Sequence, residues 1–221
     1  MAEDLLSFLF PHEDFLEKYS KSYHVDDQKI VYQYKGWQDT PKIIYIQKGI
    51  FQVETRGKSG WEPIELAVQN QILGFESFLE EDYALKGIAY RLKSLTPGDC
   101  IFITGHYFVD HLYANPKFFL AMTEQMARSI LKYKYQRYYK HDNLQVEVIR
   151  FLKELINSGI FQPHYGYLSL PKEINPKLIA DHLHASEKEI YEVLKQLETK
   201  LWLQQKNNII MIQKEAQKQF N

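Results

Sequence analysis

Cysteine is nearly absent from this chain: Cys100 is the only one in 221 residues. A lone cysteine excludes an internal disulfide, a four-thiolate iron–sulfur centre and a structural zinc knuckle. It fits a reducing, cytoplasmic setting. Net charge is lacking too. The 27 Lys and Arg against 28 Asp and Glu leave a formal charge of -1 at pH 7. There is then no global field to draw in nucleic acid or an anionic membrane, and any DNA-binding role has to rest on local arrangement. No apolar run approaches the length of a membrane span, so no membrane partner is expected. The opening MAEDLLSFLFPHEDF has no basic n-region and carries Glu3, Asp4, Glu13 and Asp14. A signal peptide is therefore not expected. The sequence also has no low-complexity tract, no repeat, no Gly-rich phosphate loop, no nucleophile elbow and no zinc-protease motif. An enzyme is not expected, and no catalytic residue, metal ligand or cofactor is assigned.

What is present is an ordinary globular composition, with 45% hydrophobic and 25% charged residues. That is enough for a core, in one large domain or two small ones. Residues 1 to about 20 read as one or two short helices broken at Pro11. From His24 to Leu95 the texture changes to short apolar or alternating runs at 29–34, 43–46, 50–55, 64–68 and 88–95. Turn chemistry separates them: Lys48-Gly49, the 56–60 loop, and Thr96-Pro97-Gly98-Asp99. A last strand follows at 100–103. Many short strands at near-regular spacing predict an antiparallel sandwich or roll.

After Asn115-Pro116 the period becomes helical. Phe119, Met122, Met126, Ile130, Tyr133 and Arg137 recur at spacings of three or four. Asn115 suits the N-cap and Pro116 the first helical position. The helix is expected to run to about His141, long enough to want a partner along its stripe. Two readings stand: the stripe dimerises, or it packs on its own β-roll. Asp142 or Asn143 can cap a next helix to about Asn157, with Val146, Ile149, Phe151, Leu152, Leu155 and Ile156 as its apolar face. Gly159 suits a left-handed end, and 165–170 reads as a strand.

The last segment is the most informative. Asn175-Pro176 repeats the N-cap and proline device and opens a helix to Leu183. Ser186 opens another, with Glu189 at the capping-box position. Ile190, Val193, Leu194 and Leu197 line one face, and small Ala180 allows a close crossing. A tight turn between them makes a helix-turn-helix. Leu201-Trp202-Leu203, a turn at Lys206-Asn207-Asn208 and the apolar 209–212 add a hairpin, because Asn tolerates positive φ. Together these make a winged helix.

At this point the sequence resembles the Crp/Fnr family, the cyclic-AMP receptor protein and its relatives. Three matches carry the resemblance. Asn115-Pro116 with Gln125-Met126-Ala127-Arg128 is similar to the start of the family's dimerisation helix. Lys48-Gly49 and Pro97-Gly98-Asp99-Cys100 are similar to its β-roll turns. Ile179-Ala180-x-x-Leu183-x-Ala185-Ser186, running on to Leu194-Lys195-x-Leu197-Glu198, resembles its helix-turn-helix. The resemblance implies an α+β chain in three parts. These are an effector-type β-roll at 1–114, a dimerisation helix at 115–141, and a winged helix DNA-binding domain at 142–221. It implies a dimeric regulator with Phe119, Met122, Met126, Ile130 and Tyr133 on the seam, and a hinge near residues 141–143 through which an effector re-aims the reading helices. Its implied partners are double-stranded DNA, a second copy, RNA polymerase and an unidentified small-molecule effector.

The departures are as informative. Cyclic-nucleotide binders lead the phosphate cassette with Gly-Glu and end it with Arg-Ser. Here the effector-pocket positions are Gly74, Phe75, Glu76, Leu85 and Lys86, with Tyr133 and Lys134 on the long helix. A buried cyclic phosphate wants a bidentate cationic clamp, and Lys86 supplies charge without the fork. Glu80, Glu81 and Asp82 repel an anion. Cyclic-AMP binding is therefore not expected. The pocket is either more apolar or already filled by side chains. The reading helix departs too. The DNA-facing set is Lys177, Ser186, Glu187, Lys188, Tyr191, Glu192, Lys195, Lys206 and Asn207, and carboxylates stand where the family favours Arg. Residues 141–221 carry ten Lys or Arg and ten Asp or Glu. Three readings stay open: an unusual or weak site read by Lys188, Tyr191 and Lys195; phosphate contacts from Lys172, Lys177 and Lys206; or a retained scaffold that has lost DNA binding.

Other constellations have plain readings. Asp181, His182 and His184 look like ligands, but helix residues two apart do not share a face. We read His182 as a surface residue and His184 as a strained turn residue where Gly is common. His106, Asp110 and His111 read as local hydrogen bonding rather than metal binding. Cys100 reads as buried and inert rather than a thiol sensor. Tyr133, Tyr135, Tyr138 and Tyr139, interleaved with Lys132, Lys134, Arg137 and Lys140, read as an aromatic face with a solvated basic face. A cupin-like metal enzyme would want clustered His and Glu on facing strands, and 43–46 and 50–55 offer none.

Overall fold

The computed structural model describes residues 13–34, 41–57, 60–78, 89–138 and 143–215. The chain divides into two compact units, Met1–Tyr138 and Tyr139–Asn221. The helices expected around Pro11 fall mostly outside the described residues. What is described there is α1, Glu13–Tyr19.

The first unit is a β-roll of two four-stranded antiparallel sheets. One has the order β1 (Ser20–Val25), β8 (Gly98–Thr104), β3 (Lys42–Lys48), β6 (Ile72–Leu73). The other runs β2 (Ile30–Tyr34), β7 (Tyr90–Ser94), β4 (Phe51–Arg56), β5 (Trp61–Ala67). Side chains alternate across a strand, and β3 is buried on both faces. Its Ile44 and Ile46 join Phe51, Val53 and Leu92 between the sheets. Its Ile43 and Tyr45 face outward into a second cluster with Tyr107, Phe108, Phe118 and Met122. This double burial explains why β3 reads as an unbroken apolar run.

Two helices close that second cluster: α2, Gly105–Ala114, and α3, Pro116–Tyr138. The Phe118 amide donates to Asn115 Oδ1 at 3.3 Å, and Pro116 opens α3, so both capping expectations hold. The turn at Lys48-Gly49 is also as expected. Gly49 has φ +94°, and a Cβ there would lie 2.8 Å from the Gly98 backbone. Strand β5 starts earlier than expected, at Trp61, and runs through Pro63. It is an edge strand with a register shift at that point, the setting in which a sheet accepts proline.

The second unit contains α4 (Leu144–Asn157), α5 (Pro176–Leu183), α6 (Glu187–Thr199) and a sheet of order β11 (Leu203–Lys206), β12 (Ile209–Gln213), β10 (Tyr167–Ser169), β9 (Gln162–His164). Asn143 caps α4, its side chain accepting from the Gln145 amide at 3.0 Å. Gly159 follows with φ +72°. The buried face of α4 is Val148, Phe151, Leu152 and Leu155. Val146, expected on that face, is exposed. It sits two residues from Val148, about 200° away around the helix.

Candidate nucleic-acid interface and effector cavity

The helix-turn-helix is fixed by its caps. Asn175 Oδ1 accepts from the Leu178 amide at 2.9 Å, and Pro176 occupies the first turn of α5. The helix ends at His184, which is left-handed at φ +52°, ψ +38°. The chain is pinned back by the Ala185 amide donating to the Ala180 carbonyl at 3.0 Å. Ser186 then starts α6 with a complete capping box. The Glu189 amide donates to Ser186 Oγ at 3.2 Å, and the Ser186 amide and hydroxyl donate to Glu189 Oε2 at 2.9 and 2.6 Å. These bonds hold the Glu189 carboxyl below its ordinary pKa. Buried Ala180 and Ile179 on α5 and buried Ile190, Val193, Leu194 and Leu197 on α6 supply the apolar faces.

That burial leaves one face of α6 outward. Glu187, Lys188, Tyr191, Glu192 and Lys195 are all exposed, spaced so that 187, 191 and 195 stack along it with 188 and 192 beside them. Ser186 and Lys177, at the starts of α6 and α5, are exposed too. Lys206 and Asn207 lie exposed at the tip of the β11–β12 hairpin, where Asn207 and Asn208 take φ of +52° and +62°. Paired positive φ is the signature of a type I′ turn. His182 is not a surface residue as expected: it is half-buried, its ring 4.9 Å from that of Phe151.

The first unit contains a cavity of about 380 Å³. Its walls come from β4 to β7 and from α3, and Gly74 and Phe75 of the expected effector pocket line it. Gly74 has φ +98°, and a Cβ there would run into the Lys42 carbonyl. The adjoining 3-10 turn, Phe75–Phe78, is fastened by Ser77, whose hydroxyl donates to the Gly74 carbonyl at 2.5 Å and accepts from the Lys42 amide at 3.1 Å. This fastening sets Phe75 at the cavity wall. The Glu76, Tyr133 and Lys134 side chains, and all of Leu85 and Lys86, lie outside the described residues.

No protein-family model and no curated protein matches the sequence. Solved structures do match. One is a cyclic nucleotide-binding domain containing protein from Listeria monocytogenes EGD-e, 15% identical, with 97% of this chain and 98% of that one covered and a TM-score of 0.73. Another is the c-di-GMP responsive global regulator CLP of Xanthomonas campestris, at 14% identity, 91% and 97% coverage and TM-score 0.66. A third is a transcriptional regulator of the CRP/FNR family from Thermus thermophilus, at 13% identity, 90% and 97% coverage and TM-score 0.65. The chain has the Crp/Fnr fold. It is α+β, with an antiparallel β-roll, a long helix and a winged helix-turn-helix.

Within that fold the stripe of α3 divides. Met122 is only 4% exposed and packs in the outer cluster of the roll. Its assignment to the seam is therefore corrected: it lies four residues after buried Phe118 and shares its inward face. Phe119, at 58%, is exposed, as are Leu120, Ile130 and Leu131. Met126 and Ile130 also line the cavity, a role the spacing alone did not reveal. His111 Nδ1 lies 3.1 Å from the Tyr107 carbonyl oxygen, a local hydrogen bond of the expected kind. Among the described residues no three His, Cys, Asp or Glu converge as metal ligands.

Proposed function

We propose that this protein is a dimeric, DNA-binding transcription regulator of the Crp/Fnr type, cytoplasmic and without enzymatic activity. The domain boundaries are those read from the sequence: 1–114, 115–141 and 142–221. The observation that carries the reading is the doubly capped helix-turn-helix followed by an Asn-Asn wing, with one face of α6 left outward. Such a helix fits the major groove, and a two-fold dimer would meet half-sites about one DNA turn apart. Lys188, Tyr191 and Lys195 are the base-reading candidates on α6. Lys177, Lys206 and Asn207 supply backbone contacts, and Ser186 positions the reading helix. RNA polymerase is the downstream partner. The β-roll cavity either takes a small-molecule effector other than cyclic AMP or serves none, in which case the regulator is constitutively active.

The test is to sequence genomic fragments retained by the full-length protein at near-physiological salt, with the Lys188→Ala/Lys195→Ala double variant as control. A two-fold symmetric site that the control loses supports the regulator. Retention of nothing by a folded dimer, with and without cell extract, sinks it. A second reading follows from Glu187 and Glu192 on the outward face of α6, since carboxylates near phosphates weaken DNA binding. On that reading the protein is a dimeric interaction module that has kept the fold and lost DNA.

A further inference from the structure

The four glutamates of α6 stand in different surroundings. The Glu189 carboxylate closes the capping box, taking the amide and hydroxyl of Ser186. Glu198 Oε1 accepts from the Gln205 amide at 3.1 Å and fastens the helix to β11. Glu187 is the first residue of the helix, where the positive end of the backbone dipole favours a carboxylate. Glu192 has none of these roles. It lies at mid-helix and is exposed, with Lys188 four residues before it and Lys195 three after. Among the described residues no hydrogen bond or ion pair holds its carboxylate. Its direction is set by the buried face, which is Ile190, Val193, Leu194 and Leu197. At about 100° per residue, Lys188, Glu192 and Lys195 fall within about 30° of the line opposite the centre of that face. Tyr191 lies to one side of the line, and Glu187 further round.

A reading helix seated in the major groove lays that central line on the base edges, while the phosphates run along the two rims. A carboxylate on the line meets bases, and it can only accept. Cytosine offers it the N4 amino group. Guanine presents N7 and O6, and thymine presents O4 and a methyl, all without a donor. Adenine has an N6 donor but sets the N7 acceptor beside it, which repels a carboxylate. The lysines before and after Glu192 keep the stripe net positive, so the phosphates do not face bare negative charge. We propose that Glu192 reads cytosine, one in each half-site of the DNA, and so is a determinant of sequence rather than a repeller of phosphate. This rests on the regulator reading above and names a base of its operator.

The test is selection from random double-stranded DNA by the full-length protein, side by side with Glu192→Gln and Glu192→Ala. The position is exposed, so both variants should keep the wild-type circular dichroism. The wild-type motif should carry a cytosine in each half-site, preferred about tenfold or more over guanine and thymine. Glutamine both donates and accepts, and it pairs with adenine through N6 and N7. Glu192→Gln should therefore turn that one position to adenine and leave the rest of the motif alone. Glu192→Ala should level the position to within about threefold, with the salt dependence of binding to the wild-type site unchanged. A motif identical in all three proteins overturns the proposal. So does a Glu192→Ala protein that binds every sequence more tightly with the same preferences, since the carboxylate then acts on phosphates alone. A wild-type protein that enriches no motif sinks the regulator reading and this proposal with it, a result distinct from either of those.

Discussion

At the scale of single residues, Cys100 shows how burial decides chemistry. It is fully buried between the sheets beside Leu92 and Ile46. Burial, with the Asp99 carboxylate adding to it, pushes the thiol up to about 12. The thiolate is the reactive form, so at pH 8 the folded chain should not react with a disulfide reagent. One thiol per chain should appear on denaturation, and fast labelling of the native protein would contradict this. His184 carries a different cost. A side chain in the left-handed region is strained by about 1–2 kcal/mol, part of which glycine's extra unfolded-state freedom offsets. His184→Gly should therefore stabilise the second unit by about 0.5 kcal/mol in urea unfolding, whereas His184→Val should destabilise it. Both residues were legible in sequence: one cysteine after a Pro-Gly-Asp turn, and a histidine where glycine is common.

At the scale of elements, the ends of helices were the most legible parts, because capping is local chemistry. Asn115-Pro116, Asn175-Pro176 and Ser186 with Glu189 each depend on residues three or fewer apart. Removing the α6 cap with Ser186→Ala should cost about 1 kcal/mol at pH 7. The effect is pH-dependent. Glu189 has a depressed folded pKa, because the Ser186 hydroxyl and then the Ser186 amide donate to it. The stability it contributes is present above its unfolded pKa and is lost as pH falls through the folded one. The difference between wild type and Ser186→Ala in urea should therefore shrink from pH 7 to strongly acid solution. A constant difference would mean that the box is not formed.

Strands whose burial is not local were less legible. β1, with the sequence SKSYHV, is an edge strand exposed along its middle, and β9, QPH, is exposed throughout. Neither carries the alternation that marks a half-buried strand: β1 is held by β8, far along the chain, and β9 by the neighbouring β10 across the turn at Tyr165-Gly166. The cavity was half legible. Gly74 and Phe75 sit at a recognisable turn. Val53, Ile64 and Gln125 come together only when β4, β5 and α3 are brought side by side, and spacing within one segment carries no record of that.

At the scale of the whole molecule the decisive question is what covers α3. A helix of 23 residues is about 34 Å long. Its inward face is satisfied by Phe118 and Met122 in the roll. Outward, Phe119 and Leu131 are 58% and 66% exposed, with Leu120 and Ile130 also exposed. Large apolar side chains gathered along one helix are what a self-complementary interface uses. Burying a leucine side chain is worth about 2 kcal/mol, and a two-fold axis buries Leu131 twice. A charge there should then weaken dimerisation by roughly a thousandfold, since each 1.4 kcal/mol is tenfold. Leu131→Glu lies outside the cavity lining and the core, so the chain should stay folded while sedimentation falls from two chains to one at micromolar concentration. Each monomer would keep its α6 and its wing. Binding to a two-half-site operator should nonetheless collapse, because the second half-site contact is no longer intramolecular. A Leu131→Glu protein that still sediments as a dimer would mean that the stripe is covered by something other than a second α3.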